Sequence, residues 1–366
     1  MFLLVLGLFL WVFPDSSILD YGYAGLDSLF STAPYLFMFL VPAITMRSLA
    51  EERKEGTFEL LLTRPLTYLQ IVLGKYFAAV LIVLFALLPT LIYYFSVHTL
   101  GSPQGNIDTG AVIGSYIGLF LLGSAFAAIG LFTSAVTKNQ IIAFTIAVFI
   151  CFFFYSGFDS LSTLLSLQSS GIQRLGITEH YQSISRGVVD TRDLGYFIAL
   201  AALFIWLTIL ALLTQQQKRA DKKTMIGLAI IVVLAVVSNF GFARFDFTAE
   251  GRYTVSPASR TVLNDLPATV KVTVYLQGDL TGGMKRLQRA TGDMLADLQA
   301  YSHGKLQFEF IDPLKGQSTE QQNQAIADLQ SRGIEPLALS VKTDDGMTQK
   351  PFSQWQWYLP MVKIFR

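Results

Sequence analysis

The chain has 366 residues, of which 52% are hydrophobic and only 14% are charged, and its formal net charge is +1. Soluble domains carry about 25% charged residues, so this composition excludes a single soluble core and a disordered chain. The near-zero net charge provides no basic field for nucleic acid. The single cysteine excludes an intrachain disulfide and a cysteine-based zinc cluster, and the three histidines lie too far apart in sequence for metal-ligand spacing.

Long apolar runs occupy the first two thirds of the chain. A helix that crosses a bilayer needs about 20 apolar residues. The opening run, residues 1–13, is shorter, and we expect it to be the end of a helix whose beginning lies outside this sequence. Five other runs meet or nearly meet this length, at residues 29–46, 76–97, 111–136, 141–158 and 194–213. Together with a further run at residues 225–243, they predict an α-helical membrane bundle of six to seven transmembrane helices.

The distribution of basic residues predicts the orientation of this bundle. Loops 47–75, 137–140 and 214–224 together hold ten Lys and Arg, whereas the three loops on the other side hold three. Positively charged loops remain in the cytoplasm. We therefore expect a multi-pass protein of a bacterial inner membrane, with the residues from 244 onward in the periplasm.

The run 111–136 is rich in small residues. Gly114 and Gly118 form a GxxxG pattern, which lets two helix backbones approach closely. Packing within the bundle and dimerisation both explain this pattern, and the sequence leaves the two open.

Loop 47–75 has an unusual composition for a connection between two spans. A charged segment ends at Gly56, and Thr57 can cap a short helix whose apolar face begins at Leu60 and which Pro65 ends. A short amphipathic helix at a membrane surface either lies on lipid or docks into a groove of a partner protein.

The string from Glu51 to Leu62, followed by Pro65, resembles the cytoplasmic coupling segment of ABC transporter permeases of the type-2 exporter class. Further strings at 41–47, 70–75, 87–90, 101–109 and 179–187 are similar to the gliding-motility-associated permease subunit, the GldF type, over roughly residues 1–212. The resemblance implies a permease domain at 1–213. It also implies that the segment contacts an ABC ATPase subunit through Glu51, Glu52, Glu55, Gly56, Thr57, Glu59, Leu60 and Pro65.

This resemblance also carries expectations about cofactors and partners. ATP and Mg²⁺ would bind to the ATPase, because this chain has no Walker A motif and is expected to bind no cofactor, no metal and no nucleic acid. The expected partners are the ATPase, a second permease copy and membrane lipid.

The strings at 244–256, 275–280 and 308–313 are similar to the gliding-motility auxiliary subunit, the GldG type. This resemblance implies a fusion, with a cytoplasmic linker at 214–224, a transmembrane anchor at 225–243 and an extracytoplasmic domain at 244–349. The alternating apolar pattern independently predicts strands at 269–276, 306–311 and 337–341, with helices at 284–301 and 318–332 between them. This order predicts an α/β domain with a mostly parallel sheet.

Residues 350–366 do not resemble the auxiliary family. We interpret them as an out-of-frame tail after a frameshift that follows Gln349, which would leave the outer domain incomplete. No nucleotide-binding glycine motif follows a predicted strand, and no catalytic constellation is recognisable in the sequence. The predicted function is therefore a permease subunit that couples ATP hydrolysis by a separate ATPase to transport. The alternative is a membrane-anchored scaffold whose outer domain binds envelope partners without transport.

Overall fold

The computed structural model divides into two compact units, Met1–Arg252 and Tyr253–Arg366, and each is described by itself. The structure describes residues 2–13, 18, 25–105, 107–164, 175–185, 187–215, 227, 244–246, 256–277, 287–288, 291–292, 294–295, 298–299, 301–302, 305–312, 319–331, 340–343 and 346–349.

Helices dominate the first unit. Among the described residues, five helical stretches are long and apolar enough to cross a membrane, which confirms the five predicted spans between residues 29 and 213. The opening run forms a shorter apolar helix. The helices are α1 (Phe2–Trp11), α2 (Asp27–Thr45), α3 (Arg47–Glu55), α4 (Thr57–Leu62), α5 (Tyr68–Leu87), α6 (Leu91–Leu100), α7 (Thr109–Val136), α8 (Gln140–Phe152), α9 (Phe158–Leu164), α10 (Ile177–Ser185) and α11 (Thr191–Gln215).

Two spans depart from regular helical geometry. A 3₁₀ turn, Leu88–Thr90, joins α5 to α6, because Pro89 has no N–H to continue the α-helical ladder. A π-helical turn, Phe153–Gly157, joins α8 to α9. The second predicted span also begins earlier than its apolar run, since α5 starts at Tyr68 and includes the polar residues up to position 75.

Helix α7 lies at the centre of the first unit and contacts α2, α5, α8, α10 and α11. It is the most buried of the candidate spans. Its small residues explain this position, because they allow the neighbouring helices to pack close to its backbone. At Gly123, for example, an added Cβ would lie 2.6 Å from Cγ1 of Val83 on α5.

Helix α10 packs against the N-terminal half of α7 and leads into a short strand pair. Strand β1 (Val188–Asp190) pairs antiparallel with β2 (Arg244–Asp246). Tyr181 of α10 is fully buried and donates a 2.7 Å hydrogen bond to the carbonyl of Phe30 on α2. Burial raises the pKa of the Tyr181 phenol well above its usual value, so this donor stays protonated.

The second unit has its own apolar cluster. Helix α12 (Pro257–Asn264) precedes β3 (Val270–Val274), which pairs in parallel with β4 (Leu306–Phe310). All described residues between 287 and 301 are helical, and this agrees with the helix predicted between these strands. The buried side chains of Val272, Val274 and Leu306 form the cluster on one face of the strand pair. The parallel pair confirms the predicted α/β arrangement.

The third predicted strand pairs differently from the first two. After α13 (Thr319–Ser331), strand β5 (Ser340–Thr343) forms an antiparallel pair with β6 (Gly346–Gln349). Only two residues separate β5 from β6 in sequence, and parallel strands need a crossover of a dozen or more residues, so these strands can pair directly only as antiparallel neighbours. The predicted anchor at 225–243, apart from Gly227, lies outside the described residues. So do most of the predicted linker at 214–224, residues 337–339 and the predicted out-of-frame tail at 350–366.

Candidate functional site

The candidate coupling segment folds as two short helices that meet at a sharp turn. Helices α3 and α4 are joined at Gly56, and we call this pair, residues 47–62, the elbow. Gly56 has φ +77° and ψ 3°, which is the left-handed conformation that ends a helix and that glycine adopts without strain. An added Cβ at Gly56 would meet nothing within 4 Å, so only the backbone conformation selects glycine here.

Thr57 does not cap α4 through its side chain, in contrast to the prediction. Its hydroxyl instead donates a 3.2 Å hydrogen bond to the carbonyl of Glu52. This carbonyl is one of the last four of α3, which have no partner within the helix itself. The side chain of Thr57 therefore stabilises the turn by bonding to the end of α3. Pro65 lies after α4 in the exposed turn that leads to α5.

Helix α4 packs against the core through Phe58 and, in part, Leu61, and other side chains of this helix are exposed. Phe58 is only 5% exposed and belongs to the apolar core of the first unit, whereas Leu60 is 66% exposed. Glu59 of α4 and Glu55 at the end of α3 are also exposed, so the elbow exposes two carboxylates and an apolar side chain close together in sequence. An open groove of about 640 Å³ beside them is lined by Glu52, Thr57, Leu60, Leu61, Thr63 and Arg64.

The elbow is attached to α5 through an ion pair. Nζ of Lys75 lies 2.6 Å from Oε1 of Glu52 and donates a second hydrogen bond of 2.8 Å to the carbonyl of Ser48. Both charged side chains are partly buried. Glu52, which the resemblance assigned to the ATPase contact, thus has a partner within the chain, and Glu51 is half-buried.

The elbow is attached to α7 through hydrogen bonds to the last turn of that helix. Oγ of Ser134 accepts from the N–H groups of Leu49 and Ala50 at 3.0 and 2.9 Å. The same hydroxyl donates to the carbonyl of Met46 at 2.9 Å. In addition, the guanidinium of Arg53 donates to the carbonyl of Ala135. The orientation of α3 is therefore fixed by α5 on one side and by α7 on the other.

The GxxxG pattern lies at the other end of α7 and faces α10. An added Cβ at Gly114 would lie 2.5 Å from the carbonyl oxygen of Ile184 and 2.6 Å from Cα of Gly187. At Gly118 the nearest atoms would be side-chain carbons of Ile184 and Tyr181 at 3.3 Å. Both glycines thus serve packing within this chain.

Lys75 and Ser134 were absent from the sequence-based site. Lys75 lay at the border of an apolar run, and its partner Glu52 is 23 residues away. Ser134 follows Gly130 by one helical turn, and this small-residue spacing was a usable signal of close helix packing. Within the part of the chain that the structure describes, no group of three or more His, Cys, Asp or Glu could hold a metal ion.

Sequence comparison decides the family. The profile of ABC-2 family transporter proteins matches residues 17–247, which is more than half of the chain. The chain belongs to the ABC-2 transporter family. As an ABC-2 permease it is the transmembrane component of an ABC transporter, and membership implies an ABC ATPase partner.

Residues 249–356 of this ABC-2 permease match a domain of unknown function, DUF7088. The two matched regions meet close to the division between the two compact units. No functionally curated protein gives a significant match to the chain.

Proposed function

We propose that this chain is a permease subunit whose elbow docks a separate ABC ATPase and thereby couples ATP hydrolysis to transport. The observation that carries the proposal is the exposure of Glu55 at the end of α3 and of Glu59 and Leu60 on α4, on either side of the Gly56 turn, in a segment bound to two spanning helices. A docking surface needs an apolar contact with charged groups around it. We expect the two carboxylates to pair with basic groups on the ATPase.

The same geometry supports a mechanism for coupling. Nucleotide-driven closure of the ATPase would push on α4, and the Gly56 turn would pass this displacement to α3. Because α3 is bound to α5 through Lys75 and to α7 through Ser134, the displacement would reach the bundle. The bundle would then shift between two arrangements with different affinity for the transported molecule.

Several finer features are proposals that rest on the sequence. The gliding-motility association and the auxiliary fusion rest on the resemblance to the GldF and GldG types. The inner-membrane location, with the elbow in the cytoplasm and the second unit in the periplasm, rests on the charges of the loops. A second permease copy is expected from the family. The domain boundaries proposed at residues 213, 224, 243 and 349 rest on the same sequence reasoning.

Charge reversal at the elbow tests the docking proposal. The chain carrying Glu55→Lys and Glu59→Lys would be co-expressed with the ABC ATPase encoded nearest to its gene, and the amount of ATPase that co-purifies in mild detergent would be measured. Glu320→Lys is the matched control, because Glu320 is exposed on α13 of the second unit. We expect the elbow variant to lose most of the ATPase and the control to retain it.

The opposite result would favour the scaffold. A scaffold needs no ATPase, so wild-type chain that is folded and purifies without one would contradict the proposal. Equal recovery of the ATPase by the wild type and by the elbow variant would show that docking uses another surface.

A further inference from the structure

Ser134 lies where α2 passes into α3, although it belongs to α7. Its hydroxyl contacts three backbone groups of the joint: the carbonyl of Met46 and the N–H groups of Leu49 and Ala50. The first N–H groups of a helix have no partner within that helix, and a side chain normally caps them from the preceding residue. Here no side chain next to α3 provides this cap, and Ser134 provides it from a helix that is 84 to 88 residues away in sequence.

We infer that Ser134 is the positioning residue that makes the elbow and α7 move together. This inference rests on the proposed docking of an ATPase at the elbow. Helix α3 has nine residues and a mostly charged sequence, and a helix of this length is marginal in isolation. It continues from α2 after the single residue Met46, which itself has right-handed helical dihedral angles, and Ser134 bonds to the backbone of this joint.

Close backbone packing keeps Ser134 at the joint. One turn earlier on α7, an added Cβ at Gly130 would lie 1.9 Å from Oγ1 of Thr45, so the backbone of α7 runs directly against the end of α2. The hydroxyl of Thr45 donates a 2.9 Å hydrogen bond to the carbonyl of Val41 within α2. One residue beyond Ser134, the carbonyl of Ala135 accepts from Arg53 at the far end of α3. The last two turns of α7 thus contact the end of α2 through Gly130, and both the beginning of α3 and Arg53 near its end through Ser134 and Ala135.

The beginning of α7, at the opposite end of the helix from Ser134, contacts α10 and the chain that leads to β1. Helix α7 has 28 residues, and at about 1.5 Å per residue it is about 42 Å long. Near its beginning, Oγ of Ser115 donates a 2.8 Å hydrogen bond to the carbonyl of Ser185 on α10, and Gly114 packs against the chain that leads to β1. A displacement of the elbow that is passed to Ser134 therefore reaches α10 and β1 through a single helix.

Hydrogen exchange of the full chain in complex with its ATPase tests this inference. Exchange would be measured by mass spectrometry with and without a non-hydrolysable ATP analogue, in the wild type and in Ser134→Ala. Thr133→Val is the matched control, because the buried hydroxyl of Thr133 bonds to the carbonyl of Gly130 within α7 and to no other group among the described residues. Arg53→Met is a second test variant, since it removes the other bond from α3 to α7 and lies at a less buried position.

In the wild type and in Thr133→Val, we expect the analogue to change exchange both in the elbow and in residues 109–118 of α7. In Ser134→Ala, the ATPase should still bind and the elbow should still respond, but the change in residues 109–118 should fall about fivefold or more. Arg53→Met should reduce it in the same direction by a smaller factor.

Two results would overturn the inference, and they can be told apart. If the wild-type chain binds no ATPase, the proposed function is wrong and the inference fails with it. If the ATPase binds and the elbow responds, but residues 109–118 respond equally in the wild type and in Ser134→Ala, only the role of Ser134 is wrong. If the ATP analogue changes exchange in the elbow of the wild-type complex but not in residues 109–118, the role of Ser134 is also wrong.

Discussion

Substitution of Gly56 should weaken ATPase docking by an amount that the backbone alone determines. An L-residue in the left-handed conformation costs about 1–2 kcal/mol, and the space around Gly56 adds no steric penalty because a Cβ would meet nothing within 4 Å. If docking requires this turn, Gly56→Ala should therefore reduce the affinity for the ATPase by about 5- to 30-fold. Asparagine tolerates the left-handed region, so Gly56→Asn should remain within a few-fold of the wild type.

The assay is titration of the purified ATPase against the detergent-solubilised chain, with binding followed by fluorescence or surface immobilisation. Gly74→Ala on α5 is the control, because an added Cβ there also meets nothing within 4 Å and alanine favours a helix. It should leave the affinity unchanged. Two results would refute this reasoning: unchanged affinity in Gly56→Ala, or an equal loss in Gly56→Asn and Gly56→Ala.

Three further predictions concern packing, the ion pair and the orientation. Gly114→Ala should destabilise the first unit by about 1–3 kcal/mol, since the new methyl group would meet the carbonyl of Ile184, and an unchanged melting midpoint in detergent would contradict this. Lys75→Met should cost about 1 kcal/mol because it leaves the carboxylate of Glu52 without its ion-pair partner; adding Glu52→Gln should recover part of the lost midpoint, and a further fall would count against the pair. A cysteine at Val262, which is 65% exposed, should react with a membrane-impermeant maleimide from outside the inner membrane, and reaction only after lysis would reverse the orientation.

Hydropathy located the spanning helices because burial in a bilayer requires long apolar runs, whatever the contacts between them. It misplaced the start of α5, since residues 68–75 include Gln70 and Lys75. A local signal was available there: Thr67 and Gln70 form a capping box, with the side chain of each bonded to the backbone N–H of the other. The left-handed turn at Gly56 was also predictable, because glycine between two helical segments is the usual residue for it.

The attachments of the elbow could not be predicted with the same means. Ser134 and Leu49 are 85 residues apart, and Lys75 and Glu52 are 23 apart, so no local pattern links them. Thr57 shows the same limit at short range. A threonine after glycine fits an N-cap by sequence, but the turn geometry directs its hydroxyl back to α3. In the second unit, the order of elements predicted the parallel β3–β4 pair, whereas the antiparallel partner of β5 is β6, a strand that the sequence pattern did not predict.

Site-specific photo-crosslinking from Leu60 tests the central claim most directly. A photoreactive amino acid would replace Leu60, which is 66% exposed on the elbow, and in a separate variant Phe85, which is 67% exposed near the end of α5 and in the middle of the candidate span Tyr68–Leu100. Irradiation of cells that express the chain together with its ATPase should give a covalent product with the ATPase from position 60 and none from position 85. A product from both positions, or no ATPase product from position 60 in a chain that is folded and inserted, would contradict docking at the elbow.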